Sequence, residues 1–251
     1  MTEPRHILLV EDEPTLQRIL GSVLSDVGHE VESVGTAEAA LARLEDSGAP
    51  DIHLILSDKN LPAMDGLELL ARARTGEAEA GIVRGFVLVT GYPSRESALT
   101  VLAEGGDGYL VKPFRSLVHA VDAVQSILRA PLREWRVAQQ RSRQVANVLG
   151  GVPLDLPKGL EVALLLDDAE TTSRATACLA RAGATLVDVD ALSEDKPGVL
   201  VAGRVEDLAA FARLHASVGR VLADGSVSFK DVVALIQGGG GAVFDPALMP
   251  A

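Results

Sequence analysis

HILLVEDEPTLQRILGSVLSDVG, residues 6–28, decides the fold. Its first five residues form a continuous apolar run, the pattern of a strand buried on both faces of a parallel sheet. Three acids follow. Pro14 then suits the first turn of a helix, where a missing N–H costs nothing. Leu16, Ile19, Leu20, Val23 and Leu24 recur at helical spacing on one face, and Gly28 is a natural C-terminal stop. A buried strand, an acidic turn and an amphipathic helix make the opening of a βα repeat.

The alternation continues outward from that stretch. Further strands are predicted at 30–34, 52–57, 86–90 and 109–111, and helices at 36–44, 67–74, 94–104 and 116–128. Five βα units imply an α/β fold, a doubly wound five-stranded parallel sheet with helices on both faces. Residues 159–251 repeat the theme with pieces missing. Strands are predicted at 162–166, 185–189, 199–202, 220–223 and 242–244, and helices at 170–181, 205–216 and 228–236. ALSEDKPG (191–198) is too short for a normal helix, and no helix is expected after the fifth strand. The second domain is therefore read as a shortened five-stranded α/β copy lacking two of five helices. Losing helices leaves apolar strand surface that the connector helix, the first domain or a second subunit must cover.

Between the two lies PLREWRVAQQRSRQVANVLGG (131–151), of helix-favouring composition, then the stiff linker VPLDLPKG (152–159). Trp135, Ala138, Ser142, Val145 and Leu149 fall at heptad spacing, which suits a helix packed on its own chain or a dimer seam. The expected division is a domain at 1–130, a helical connector and linker at 131–158, and a smaller domain at 159–251.

Composition sets the outer limits. A chain of 251 residues is about 1.7 domains at roughly 150 residues each. The hydrophobic share of 47% and charged share of 23% are ordinary for globular proteins. The net charge is −12, distributed as −9 over residues 1–130, +3 over 131–158 and −6 over 159–251. That balance argues against nucleic acid as a partner. The single cysteine, Cys178, excludes an intramolecular disulfide and a cysteine-based zinc site; it reads as a small core residue. No apolar run approaches the roughly 18 residues of a membrane span. The N-terminus lacks the features of a secretory leader, so a cytoplasmic location is expected. Gly238–Gly241 precedes a strand rather than a helix and reads as a turn, not a phosphate loop. His215 lies on a helical run outside any bundle, so it is not read as a phosphotransfer histidine.

Functional residues of open α/β sheets collect at the carboxyl ends of the strands. Strand 1 ends in Glu11-Asp12, strand 3 in Ser57-Asp58 and strand 4 in Thr90, and strand 5 is followed by Lys112-Pro113. Three converging carboxylates repel unless a cation sits among them. A hard, oxygen-liganded ion fits, with Mg²⁺ the usual one. A lysine and a threonine hydroxyl suit phosphoryl oxygens, and a carboxylate is an accepted nucleophile for an acyl phosphate.

On the segments LLVEDE (8–13), LILSDKNLPAMDG (54–66), VLVTGYPS (87–94) and GGDGYLVKPF (105–114), the first 130 residues resemble a response-regulator receiver domain of bacterial two-component signalling, a flavodoxin-like fold. The resemblance implies the following roles. Asp58 is the phosphoacceptor. Asp12, Asp58 and the backbone carbonyl of Asn60 coordinate Mg²⁺, with Glu11 supporting through water. Thr90 is the switch hydroxyl, Lys112 pairs with the phosphoryl group, and Tyr109 is the aromatic whose rotamer follows Thr90. The Lys112–Pro113 bond is cis, and Pro62 and Gly66 shape the loop after Asp58. Tyr92, two residues after Thr90, is expected to shield the acyl phosphate.

Against the same template the second domain is a degenerate receiver. Asp167-Asp168 stands for the acidic pair, Gly203 for the phosphoacceptor, Ala223 or Asp224 for the threonine, and Asp245-Pro246 for Lys-Pro. The expected function is a response regulator, not a metabolic enzyme. It takes a phosphoryl group from a sensor histidine kinase or phosphotransfer protein and signals by protein–protein contact to an output protein. A homodimer is expected through the face made by residues 94–128 or through the helix at 131–150. A phosphate sink or relay intermediate, a scaffold or localisation factor and, less favoured, a transcription regulator are the alternatives.

Overall fold

The computed structural model describes residues 4–192, 195–212 and 217–250. The chain divides into two compact units, Met1–Leu132 and Arg133–Ala251.

The first unit holds β1 (His6–Val10), α1 (Pro14–Asp26), β2 (Glu30–Val34), α2 (Ala37–Glu45), β3 (Leu54–Asp58), α3 (Gly66–Ala80), β4 (Gly85–Thr90), α4 (Arg95–Glu104), β5 (Gly108–Val111) and α5 (Leu117–Leu128). All strands are parallel, in the order β2-β1-β3-β4-β5. β3 and β4 are buried along their whole length, which explains their unbroken apolar sequence. Each helix starts on a polar cap that takes up orphan N–H groups: Glu13, Thr36, Asp65, Ser94 and Ser116. Gly85 opens β4 where a Cβ would lie 2.8 Å from Ile127 of α5. The missing side chain lets that helix lie close against the sheet.

The second unit holds α6 (Leu132–Leu149, all but its first residue), β6 (Glu161–Leu165), α7 (Ala169–Arg181), β7 (Thr185–Leu186), β8 (Gly198–Ala202), α8 (Val205–Ala212), β9 (Gly219–Ala223), α9 (Phe229–Gln237) and β10 (Ala242–Phe244). Its sheet is also parallel, in the order β10-β9-β8-β6-β7. Counted along this unit alone that is 2-1-3-4-5 from the other edge, the order of the first sheet. Among the described residues, only a 3-10 turn, Val189–Ala191, lies between β7 and β8, and another, Pro246–Leu248, follows β10. The strand expected at 185–189 is just Thr185–Leu186, because the chain turns into that 3-10 segment. The last four residues of the helix expected at 205–216, with His215, lie outside the described residues.

The segment expected as a connector at 131–158 is instead part of the second unit. Val145, Val148 and Leu149 of α6 are buried with Ala175, Cys178 and Leu179 of α7 over Val162, Val199, Val201, Val221 and Phe244 of the sheet. Ser142 Oγ accepts the Arg220 N–H at 2.7 Å. Gly219 opens β9 as Gly85 opens β4, and a Cβ there would lie 2.8 Å from the Ala138 carbonyl of α6. So α6, ahead of the first strand, occupies in this unit the place that α5, after the last strand, holds in the other. The heptad-spaced face read as a possible dimer seam is used up in this packing. Its small members, Ala138 and Ser142, are what allow the helix to approach the strand. Among the described residues, no helix is long and apolar enough to cross a membrane.

Candidate functional site at the carboxyl edge of the first sheet

Parallel strands in register bring their carboxyl ends to one edge. Val10 of β1 lies opposite Ser57 of β3, so Glu11 and Asp58 leave the sheet side by side. Asp58 in turn is opposite Val89, one residue before Thr90, and Thr90 is opposite Val111, one residue before Lys112. Backbone bonds extend the alignment past the strands, with Lys59 N–H to Val89 O and Lys112 N–H to Thr90 O, both 2.8 Å. Gly66 closes the loop after Asp58 by donating to Lys59 O at 2.8 Å. A Cβ at Gly66 would sit 2.2 Å from the Asp58 carbonyl, so only glycine fits.

Lys112 Nζ is the centre of the site. It lies 2.7 Å from Glu11 Oε2 and 2.9 Å from Asp58 Oδ2. Glu11 is 2% exposed and Asp58 is buried, whereas Asp12 is open to solvent. Burial holds the Glu11 carboxyl above its ordinary range, against the opposing pull of Lys112. For Lys112 burial disfavours the charge, but the bonds to Glu11 and Asp58 outweigh it and raise its affinity for a proton. Carboxylate oxygens of Glu11, Asp12 and Asp58 all lie within 4.8 Å of one another. Three hard oxygen donors at that spacing, with a single ammonium between two of them, fit a divalent cation such as Mg²⁺. Asp58 Oδ1 also accepts the Asn60 N–H at 3.3 Å.

Thr90 is fully buried, and its Oγ accepts the Tyr92 N–H at 3.0 Å, leaving its own O–H to donate elsewhere. The Tyr92 side chain is 76% exposed. Tyr109 is buried, with its hydroxyl 2.7 Å from Ser97 Oγ of α4. The Lys112–Pro113 peptide is cis. Glu11, Asp12, Asp58, Thr90 and Lys112 are thus gathered at one edge, while Tyr109 lies within β5 opposite Leu88. Ser97 was missed, because a serine inside a helix carries no signal in sequence.

The second unit lacks this chemistry at every matching position. Leu165 lies opposite Ala202 as Val10 lies opposite Ser57. Leu166 therefore stands for Glu11, Asp167 for Asp12 and Gly203 for Asp58. This shifts the sequence reading by one residue. Asp168 is the cap of α7, taking the Thr171 N–H as Glu13 takes that of Leu16. Phe244 opposite Ala223 likewise puts Asp224 at the place of Thr90 and Pro246, not Asp245, at that of Lys112. Asp167 is instead paired with Arg204, at 2.9 Å, in the open. Among the described residues, the only three-carboxylate group of metal-binding spacing is the one in the first unit.

A doubly wound α/β domain with a lysine-bridged carboxylate pair at its carboxyl edge defines a narrow class. Residues 7–124 match the family model described as the response regulator receiver domain. The first unit is a response regulator receiver domain. The chain is 37% identical over 110 residues to the response regulator protein FleR of Pseudomonas aeruginosa, covering 44% of this chain and 22% of that one. It is 33% identical over 155 residues to the transcriptional regulatory protein TrcR of Mycobacterium tuberculosis, covering 62% and 57%. The chain thus spans less than two thirds of the length of these curated relatives. A solved CheY-like receiver domain protein from Methanospirillum hungatei is 31% identical, with a TM-score of 0.45, over 50% of this chain and 94% of that one.

Proposed function

We propose that this chain is a response regulator whose Asp58 accepts a phosphoryl group from a sensor histidine kinase or phosphotransfer protein, and whose output is protein–protein contact. The observation that carries the reading is Lys112 Nζ bridging Glu11 and Asp58 one strand away from a buried Thr90.

A carboxylate oxygen of Asp58 attacks phosphorus. The bond from phosphorus to the donor's imidazole nitrogen breaks, the nitrogen keeps the electron pair, and an acyl phosphate remains on Asp58. Glu11, Asp12, Asp58 and the Asn60 carbonyl would hold Mg²⁺, which supplies positive charge against the phosphoryl oxygens. Lys112, already paired with Asp58, exchanges that partner for a phosphoryl oxygen. The Thr90 hydroxyl, its oxygen held by the Tyr92 N–H, turns its proton toward the same group. Tyr109 follows, and the face of α4, β5 and α5 is biased between two states. Val111, Leu117 and Val118 are exposed on that face, which suits a partner or a second copy.

The second unit is a receiver-like module that takes no phosphoryl group and serves in binding. The acidic second unit supports an output without DNA. The name of TrcR favours a transcriptional reading as the second choice. The net charge of −6 over residues 159–251 weighs against it. The test is transfer from a small-molecule donor, acetyl phosphate with Mg²⁺. The wild type should gain one acid-stable, base-labile phosphoryl group and Asp58→Asn none. A wild-type chain that stays unmodified would overturn the reading, and random-sequence DNA retained by the phosphorylated chain would favour the transcriptional one.

A further inference from the structure

Ser97 is the third residue of α4, one turn in from its Ser94 cap. It is 3% exposed, and its N–H donates to Ser94 Oγ at 3.1 Å. Its own oxygen lies 3.0 Å from the Ser94 carbonyl and 2.7 Å from the Tyr109 hydroxyl. A carbonyl can only accept and a serine hydroxyl has a single proton. With Ser97 donating to Ser94 O, the Tyr109 O–H donates to Ser97 Oγ. The phenol is 2% exposed on β5, so its polar end depends on protein partners rather than water. Ser97 is one of them, and it ties the first turn of α4 to the strand next to the one that ends in Thr90.

We infer that Ser97 is a positioning residue that holds the Tyr109 ring inside the domain before any phosphoryl group arrives. The inference rests on the reading of Thr90 and Tyr109 as the switch. Its consequence is that the unmodified receiver already keeps its aromatic in the buried arrangement. The loop from Thr90 to α4 is then set by two ties, Thr90 to the backbone of Tyr92 and Ser97 to Tyr109. Losing one buried hydrogen-bond partner shifts an in–out equilibrium by about tenfold or more. Ser97→Ala should let the ring out, and Ser97→Thr, which keeps a hydroxyl at the same carbon, should hold it.

The chain has two tyrosines, so Tyr92→Phe leaves Tyr109 as the sole reporter. Full-length Tyr92→Phe protein carrying 3-fluorotyrosine is followed by ¹⁹F NMR with a soluble paramagnetic broadening agent. The expected result is a shielded signal with Ser97, an accessible one with Ser97→Ala, and a shielded one with Ser97→Thr. Beryllofluoride with Mg²⁺ should return the Ser97→Ala signal toward the shielded position. A Tyr109 signal as shielded in Ser97→Ala as in the parent would overturn the inference. So would equal exposure in Ser97→Ala and Ser97→Thr, which assigns the change to packing instead. The failure of the phosphoacceptor reading shows separately, as no label on Asp58 of the wild type, and leaves the Tyr109 comparison intact.

Discussion

The two units share a strand order and share almost none of their edge chemistry. Both sheets are parallel and wound 2-1-3-4-5, and both open the fourth strand on a glycine pressed by a helix. Yet the positions of Glu11, Asp58, Thr90 and Lys112 are filled by Leu166, Gly203, Asp224 and Pro246. The fold is carried by buried apolar strands and capped helices, the chemistry by a few residues just past the strand ends. The first can persist while the second is lost. The units also solve one packing problem in opposite directions, since each sheet is covered by a helix from a different end of its own unit.

The largest effect that separates the units is chemical. Lys112→Met should cut phosphoryl transfer to Asp58 by about a hundredfold, the usual cost of removing one preorganised charge partner. Gly203→Asp should create no acceptor, because Asp224 and Pro246 stand where the first unit has Thr90 and Lys112. Initial rates with acetyl phosphate measure both, and a labelled Asp at 203 would break the comparison.

The next effect is on stability. Leu149→Ala empties a fully buried place in the core of the second unit, with an expected cost of about 2–5 kcal/mol. Denaturant melts of the full chain should show the second unit unfolding earlier and the first unchanged. Equal shifts in both transitions, or none, would contradict the assignment of α6 to the second unit.

A smaller effect follows from histidines. His29 is 6% exposed, neither ring nitrogen is hydrogen-bonded among the described residues, and burial lowers its pKa; the same cause acts on His53. A histidine whose folded pKa lies below the unfolded value of about 6.5 binds protons more readily when unfolded. Stability from both is complete above that value and declines as pH falls through the folded pKa. Acid below about pH 6.5 should therefore weaken the first unit, and His29→Phe should flatten the slope. A first-unit melt with the same pH slope in both proteins would remove His29 from the account.

Least is expected of Tyr92. With its ring 76% exposed, Tyr92→Ala should shorten the phospho-Asp58 lifetime by roughly twofold, through easier access of water. An unchanged half-life would show that the ring shields nothing.

Much of this was legible in the sequence, for reasons the structure makes concrete. ILLV (7–10) and LILSD (54–58) are strands buried residue by residue, which leaves the apolar runs that the sequence shows. Glu11, Asp58, Thr90 and Lys112 were legible as a set because parallel register carries strand ends to one edge. The place of α6 was not, since heptad spacing marks a buried face without saying which surface buries it. Nor was the one-residue shift in the second unit, where Asp167-Asp168 looks like an acidic pair and only the cap at Asp168 and the pairing of Leu165 with Ala202 reveal the offset. Ser97 escaped because its partner, Tyr109, is brought to it only by the packing of α4 on β5.

The central claim is that one of two like-ordered sheets is a phosphoryl acceptor and the other is not. Full-length protein treated with acetyl phosphate and Mg²⁺, trapped by borohydride reduction and mapped by peptide mass, tests it most directly. The account predicts a single modified residue, Asp58, and none between 133 and 251. Modification that survives Asp58→Asn, or any found at Asp167, Asp224 or Asp245, would contradict it.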